Sequence, residues 1–231
     1  MTKEEFIKYC LDIDIEVNDE ILYKLDKYKS LLQEWNNKFN LTTIINDNDI
    51  YLKHFYDSIY LGTVEDLNNK TICDFGSGAG FPGIILAIFY PTSKITLLES
   101  NNKKCTFLEE VKKELDLNNT TIINERAEDY GRKNREIFDI VTCRAVSALN
   151  IILELSISLL KVNGLFLPMK SNVEEELIES KNKESLLGYK MIDRINYVLP
   201  IEKSNRNILK YIKTKKTDLK YPRSYNLIKK Q

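Results

Sequence analysis

From residue 70 onward, short β-rich runs alternate with helical stretches, and this alternation restricts the chain to few architectures. TICDF (71–75), KITLLE (94–99), TTIIN (120–124), FDIVTC (138–143) and GLFLPMK (164–170) read as strands. Stretches at about 82–90, 101–115, 147–161 and 173–187 read as helices. Repetition of this kind predicts a parallel sheet covered on both faces. Two later runs, YKMIDRINYVL and RNILKYIKT, are joined by Pro200–Asn205, too short for a crossover helix, so they should pair antiparallel. The expected fold is α/β: a mostly parallel, doubly wound sheet ending in a C-terminal antiparallel hairpin.

Ahead of this body lies a helical front. Ile21, Leu25, Tyr28, Leu32, Trp35 and Phe39 recur at steps of three and four, one stripe of an amphipathic helix over 19–39. Trp35 and Phe39 continue the stripe and are read as core. Asn46 to Asp49 offers capping side chains for a second helix running to Leu61. A chain of 231 residues then divides into an N-terminal helical extension, 1–69, and an α/β domain with a basic tail, 70–231.

At 43% hydrophobic and 29% charged, the chain is globular in composition. Its longest apolar run, Ile84 to Tyr90, is far shorter than the ~20 residues of a membrane span, and MTKEEFIKYC has no signal-peptide pattern. Cys10, Cys73, Cys105 and Cys143 are widely scattered and there is one histidine, so neither a metal site nor a disulfide framework is expected. Reduced thiols suit a cytoplasmic location. A formal net charge of zero conceals a gradient. Residues 1–70 carry 8 Lys/Arg against 14 Asp/Glu, and residues 201–231 carry 10 against 2. The basic end suits a polyanion or simply a solvated edge.

The strongest chemical signal is the loop Gly76-Ser77-Gly78-Ala79-Gly80-Phe81-Pro82-Gly83, placed between the first strand and an apolar helix. Open α/β sheets bind nucleotides at such a loop. Gly78, Gly80 and Gly83 satisfy the dinucleotide pattern G-x-G-x-x-G. Read from Asp74, the same stretch is D-x-G-x-G-x-G, the opening of Rossmann-like methyltransferases that use S-adenosylmethionine. Glu99 ends the second strand, 23 residues after Gly76, where an acid accepts from both ribose hydroxyls of an adenosine or stands as a surface carboxylate. Ala127 and Glu128 could edge the adenine. Arg144 falls on the carboxyl rim beside the glycine loop, and Ser147 reads equally as a helix cap or a ligand. His54, Asp57 and Ser58 share one helical face at i, i+3 and i+4. They either guide a substrate or, the favoured reading, lock the front to the body, with Asp57 accepting from backbone or from His54.

In order and spacing, DFGSGAGFPG, LLESNNKKCTFLEEVKKEL, ERAEDY and FDIVTCRAV resemble the bacterial small-subunit ribosomal RNA methyltransferase G family (GidB). EWNNKFNLTTI followed by HFYDS matches the family's W-N-x-x-x-N-L-T and H-x-x-D-S pattern, and YPRSYNLIKK resembles its Y-P-R tail. The resemblance covers roughly residues 30–225. Cys143, Ser171 and the tail beyond YPR depart from the family pattern. The resemblance implies methyl transfer from S-adenosylmethionine to N7 of one guanine of 16S ribosomal RNA near the decoding region.

Carried over residue by residue, the resemblance assigns Gly76 and Phe81 to the cofactor loop, where the glycine pattern adds Gly78, and Glu99 to the ribose. Ala127 and Glu128 fall on the adenine side, and Arg144 takes a positioning role. Guanine N7 carries an in-plane lone pair, so its alkylation releases no proton and needs no general base. For RNA contact the candidates are Lys103, Lys104, Lys170, Arg206 and Arg223, with Lys203, Lys210, Lys213, Lys215, Lys216 and Lys220 alongside. The implied partner is 16S rRNA or the small ribosomal subunit, with no membrane and no metal, and a monomer is expected. Two other readings stay open: a methyltransferase acting on a small molecule or protein, and a nicotinamide-dependent oxidoreductase.

Overall fold

The computed structural model describes residues 1–230. Its sheet has seven strands: β1 (Thr71–Phe75), β2 (Lys94–Leu98), β3 (Thr120–Ile123), β4 (Phe138–Arg144), β5 (Leu160–Lys170), β6 (Tyr189–Val198) and β7 (Asn205–Lys213), in the order β3-β2-β1-β4-β5-β7-β6. β1 pairs in parallel with β2 and β4, β2 with β3, and β4 with β5; β7 runs antiparallel to both β5 and β6. The expected doubly wound sheet and terminal hairpin are therefore present. Strand order reverses between β1 and β4. In sheets of this kind the carboxyl ends at such a reversal open a crevice.

Helices α5 (Gly83–Phe89), α6 (Asn102–Glu114), α7 (Ala127–Lys133), α8 (Leu149–Ile157) and α9 (Glu174–Leu187) follow the first five strands in turn, and α10 (Tyr225–Ile228) lies in the tail. The front contributes α1 (Lys3–Leu11) and α2 (Asp19–Asn36). α1, absent from the sequence expectation, starts with a capping box in which Thr2 and Glu5 satisfy each other's backbone N–H groups. α2 stops at Asn36, short of 39, because the Asn36 Oδ1 accepts the backbone N–H groups of Leu41 and Thr42 (2.9 and 3.0 Å) and turns the chain. The second front helix is not one regular helix. α3 (Asp47–Asp49) leads into a widened π-helix, Ile50–Tyr56, then α4 (Asp57–Ile59) and a tight 3₁₀ turn, Tyr60–Thr63. Within the widened turns the Lys53 carbonyl accepts from Arg144 Nη1 (2.8 Å), a partner outside the helix.

The helix expected over 147–161 ends at Ile157. Backbone N–H groups of Glu136 and Ile137 bond to the carbonyls of Ser158 and Leu159 (2.7 and 3.0 Å), drawing that segment towards the sheet. β5 accordingly begins at Leu160, and a register shift lies between Phe138 and Ile140 on its partner.

Two hydrophobic clusters cover the sheet. Phe6, Tyr28, Leu32 and Phe55 of the front share one with Ile84, Phe107 and Ile140 of the α/β body. Cys73, Phe75, Val141, Leu153, Phe166 and Tyr211 belong to the other. The front thus forms part of a core the body also needs. Trp35 and Phe39 pack partly buried against it, their rings 5.9 Å apart. All four cysteines are buried and unpaired. Among the described residues no helix is long and apolar enough to cross a membrane.

Candidate active site

The glycine loop leaves β1 at the strand-order reversal. Gly76 and Gly78 adopt φ +67° and +60°, a region that favours residues without a Cβ. A Cβ on Gly76 would lie 2.6 Å from Val146 Cγ2; one on Gly78 would meet nothing nearer than 3.8 Å, so that position has room for a side chain. Pro82 stands just before α5 as its cap. The loop is held from three sides. The buried Tyr28 hydroxyl donates to the Ala79 carbonyl (2.5 Å), the Ser77 hydroxyl donates to the Asp74 carbonyl (2.6 Å), and the Gly83 N–H donates to Asp74 Oδ2 (2.9 Å).

Glu99 joins the first two strand–helix connections. Its carboxylate accepts the N–H of Gly78 (2.9 Å) and the N–H of Asn101 (2.7 Å) while remaining 7% exposed. Each carboxylate oxygen has a second lone pair, so the group retains acceptor capacity for vicinal hydroxyls. Asp74 is fully buried and its Oδ1 has no partner. Burial pushes its carboxyl up to about 7, against the Gly83 N–H and the Arg144 charge. Glu128 is buried in the first turn of α7, where Arg126 Nε donates to it (2.7 Å), and Ala127 beside it is half-buried.

Arg144 ends β4 and reaches the front. Its Nη1 donates to Asp57 Oδ2 (2.9 Å) and its Nη2 meets His54 Nδ1 (3.0 Å). The guanidinium lies 5.2 Å from the Phe81 ring centroid, and His54 stacks on the same ring at 4.1 Å and 13°. Asp57 Oδ1 accepts from the Tyr197 hydroxyl (2.7 Å), with Arg206 Nε 3.5 Å away. The polar face expected at His54 and Asp57 is therefore a lock, as favoured, but its partners differ. Asp57 accepts from Arg144 and Tyr197, not from His54 or backbone, and buried Ser58 Oγ has no partner. These partners lie 87 and 140 residues away, beyond any local pattern. Ser147 is not the cap of α8. α8 is capped at Ala148, and Ser147 offers its carbonyl to Lys170 Nζ (2.8 Å).

A cleft of about 570 Å³ opens beside this lock, lined by Lys53, His54, Asp57, Arg144, Lys170 and Arg206 among others. Ser171, Asn172, Glu176 and Arg206 also line an adjoining cleft of about 630 Å³. Lys103 and Lys104, in the first turn of α6, border a separate hollow with Asn36, Phe39 and Asn101. Arg223 is elsewhere. Its guanidinium grips the fully buried Glu154 through Nε (2.8 Å) and Nη2 (2.5 Å). Lys213 is wholly buried, its ammonium donating to Glu136 and to the carbonyls of Ile157 and Leu160, so it cannot serve as the RNA contact expected of it. Lys210 is bound to Glu65 and the Val64 carbonyl.

A doubly wound sheet closed by an antiparallel β7, with a positive-φ glycine loop after β1 and a buried acid just after β2, is the arrangement of the Rossmann-like methyltransferases that take S-adenosylmethionine. Solved structures share this fold: M. jannaschii TYW2 in complex with AdoMet aligns at TM-score 0.56 and 19% identity, covering 68% of this chain and 74% of that one. A SAM-dependent O-methyltransferase from Thermotoga maritima aligns at TM-score 0.55 and 15% identity, covering 81% and 72%. The chain belongs to the GidB family, rRNA small subunit methyltransferase G, whose model matches residues 21–208. Proteins named ribosomal RNA small subunit methyltransferase G are similar over nearly all of their length. That of Bacillus subtilis is 43% identical over 227 residues, covering 96% of this chain and 95% of the relative. That of Fusobacterium nucleatum is 42% identical over 225 residues, covering 97% of each.

Proposed function

We infer that this protein transfers the methyl group of S-adenosylmethionine to N7 of one guanine in 16S ribosomal RNA near the decoding region. Arg144 carries the reading. It stands at the reversal of strand order, held by Asp57 and His54 over Phe81 of the glycine loop, and lines a cleft of about 570 Å³. That volume falls in the ordinary range of small-ligand pockets, about 300–1,000 Å³.

The cofactor supplies an electrophilic methyl group. Gly76, Gly78 and Phe81 form its cradle, Glu99 accepts from the ribose, and Ala127 and Glu128 border the adenine. N7 alkylation releases no proton, so the chain's task is alignment: the lone pair must face the methyl carbon in line with the leaving sulfur. Arg144 positions the acceptor base or the cofactor through its remaining N–H groups. The histidine has no acid–base part, since burial and the Arg144 charge hold its pKa down to about 3.

Lys103, Lys104, Lys170 and Arg206 face phosphates, which gives affinity blind to sequence, while choice of guanine comes from the shape of an RNA loop with unstacked bases. Residues 1–69 act as an extension that walls the site of the α/β domain, 70–231. The protein works as a monomer in the cytoplasm. Mass spectrometry of 16S rRNA from a strain lacking the protein tests the reading. One N7-methylguanine should be missing, restored by the unsubstituted protein and not by Arg144→Ala; an unchanged methylguanine profile contradicts it.

A further inference from the structure

His54 is the only histidine of the chain, and no role in the chemistry has been given to it. Its surroundings fix which nitrogen carries the proton. Arg144 Nη2 lies 3.0 Å from Nδ1. A guanidinium has donors only, so Nδ1 must accept and be unprotonated. The proton then belongs to Nε2, which lies 3.0 Å from Thr42 Oγ1. Thr42 Oγ1 also accepts the Ile44 N–H (3.1 Å), so its two lone pairs serve the ring and the loop. Both Asp57 oxygens are occupied by Arg144, Tyr197 and Arg206, so no carboxylate is aimed at the ring. Phe81 covers one ring face. Burial and the Arg144 charge both disfavour a second proton.

The contacts form a path. Asn36 at the end of α2 fixes the N–H of Thr42, the Thr42 hydroxyl holds the His54 Nε2–H, and the His54 Nδ1 lone pair holds one branch of the guanidinium. We propose that His54 is a positioning residue for methyl transfer: a neutral imidazole protonated on Nε2, whose Nδ1 lone pair sets the direction of Arg144 and so couples the 37–46 loop of the front to the reaction cleft. The inference rests on the part given to Arg144 in the proposed function.

Because one histidine is present, nitrogen-15 NMR of the whole unsubstituted protein reports one ring. The expected spectrum is an unprotonated Nδ1 and a protonated Nε2 from about pH 8 down to about pH 5, well below where a free imidazole titrates. An imidazolium at about pH 6, or the opposite tautomer, overturns the proposal.

Two substitutions separate positioning from support. His54→Asn keeps an acceptor near the place of Nδ1, whereas His54→Gln puts its amide near that of Nε2. Expected is a kcat for His54→Asn within about threefold of the unsubstituted protein and a fall of about tenfold or more for His54→Gln. S-adenosylmethionine Kd and thermal midpoints should match between the two variants. Equal kcat in both, or losses that follow the thermal midpoint, overturns the proposal. Failure of the unsubstituted protein to methylate rRNA would count against the proposed function instead, and the NMR measurement, which needs no substrate, keeps the two failures apart.

Discussion

Asp57 and Arg144 form an ion pair of 2.9 Å between Oδ2 and Nη1, tying the helical front to the carboxyl end of β4 across 87 residues of sequence. The side chains are 5% and 16% exposed, so neither charge is well solvated. Asp57→Ala would leave the guanidinium without its counter-charge and the Tyr197 hydroxyl without its acceptor. Breaking a buried pair on one side costs about 3–5 kcal/mol, and the partial exposure of Arg144 lowers the expectation to about 2–4 kcal/mol. Asp57→Asn, which keeps an acceptor for Tyr197, should lose less. Urea denaturation checks both, and a loss below about 1 kcal/mol for the alanine variant contradicts this account.

Two glycines of one loop should respond differently. Gly78→Ala puts a Cβ at φ +60° with no contact nearer than 3.8 Å, so it strains the backbone by about 1 kcal/mol and, on the cradle proposed above, intrudes on the cofactor. The protein should fold and bind S-adenosylmethionine about tenfold more weakly. Gly83→Ala puts a Cβ 2.1 Å from Leu97 Cδ2 and 2.8 Å from Asp74 Oδ2, an overpacking of about 1–3 kcal/mol. Its main effect should be a lower thermal midpoint. Calorimetry with the cofactor and a melting curve measure the two quantities, and equal cofactor affinities for the two variants would contradict the distinction.

Acid should act on stability through His54. Burial and Arg144 hold its folded pKa at about 3, below the ordinary 6.5. Between those values the unfolded chain binds the proton and the folded one does not, so stability falls as pH drops from about 6.5 towards about 3. The limiting slope for one proton is about 1.4 kcal/mol per pH unit. Asp74 works in the opposite sense. Its carboxyl, raised to about 7 by burial, favours the folded state as pH falls from about 7 to 4. The difference between the unsubstituted protein and His54→Asn cancels Asp74 and should shift in favour of His54→Asn as pH falls below about 6.5. A constant difference between about pH 7 and 5 contradicts the buried neutral imidazole.

Salt should separate two classes of basic residue. On the phosphate-facing role proposed for them, Lys103→Ala and Lys104→Ala should each lower the slope of log affinity for rRNA against log salt by about 1. Arg223→Ala should leave that slope unchanged while lowering the thermal midpoint, because its guanidinium serves Glu154. A lower slope for Arg223→Ala would restore it to the RNA-facing set. Filter binding across salt concentrations reads both outcomes.

The parts legible in the sequence are those with local signatures. Alternating strand and helix patterns give the parallel sheet, a short connection gives the hairpin, and four glycines in eight residues mark the loop. What is not legible depends on partners far along the chain. Lys213 lies in a lysine-rich stretch that reads as surface, but it turns inward because Glu136 and two carbonyls stand 53 to 77 residues away. Arg223 belongs to a motif that suggests RNA, and its grip on the buried Glu154, 69 residues away, has no local signature. The apolar run around Leu159 and Leu160 fits helix or strand equally, and only the pairing of its carbonyls with 136–138 decides. The widened turns at Ile50–Tyr56 follow no residue pattern, though they place the Lys53 carbonyl against Arg144.

Incubating the purified protein with methyl-labelled S-adenosylmethionine and small-subunit rRNA from cells that lack this methyltransferase, then locating the label by nuclease mapping and mass spectrometry, tests the central claim most directly. Label confined to N7 of one guanine near the decoding region, and lost with Arg144→Ala, is the predicted result. No transfer, or label on another atom or on guanines throughout the RNA, would contradict it.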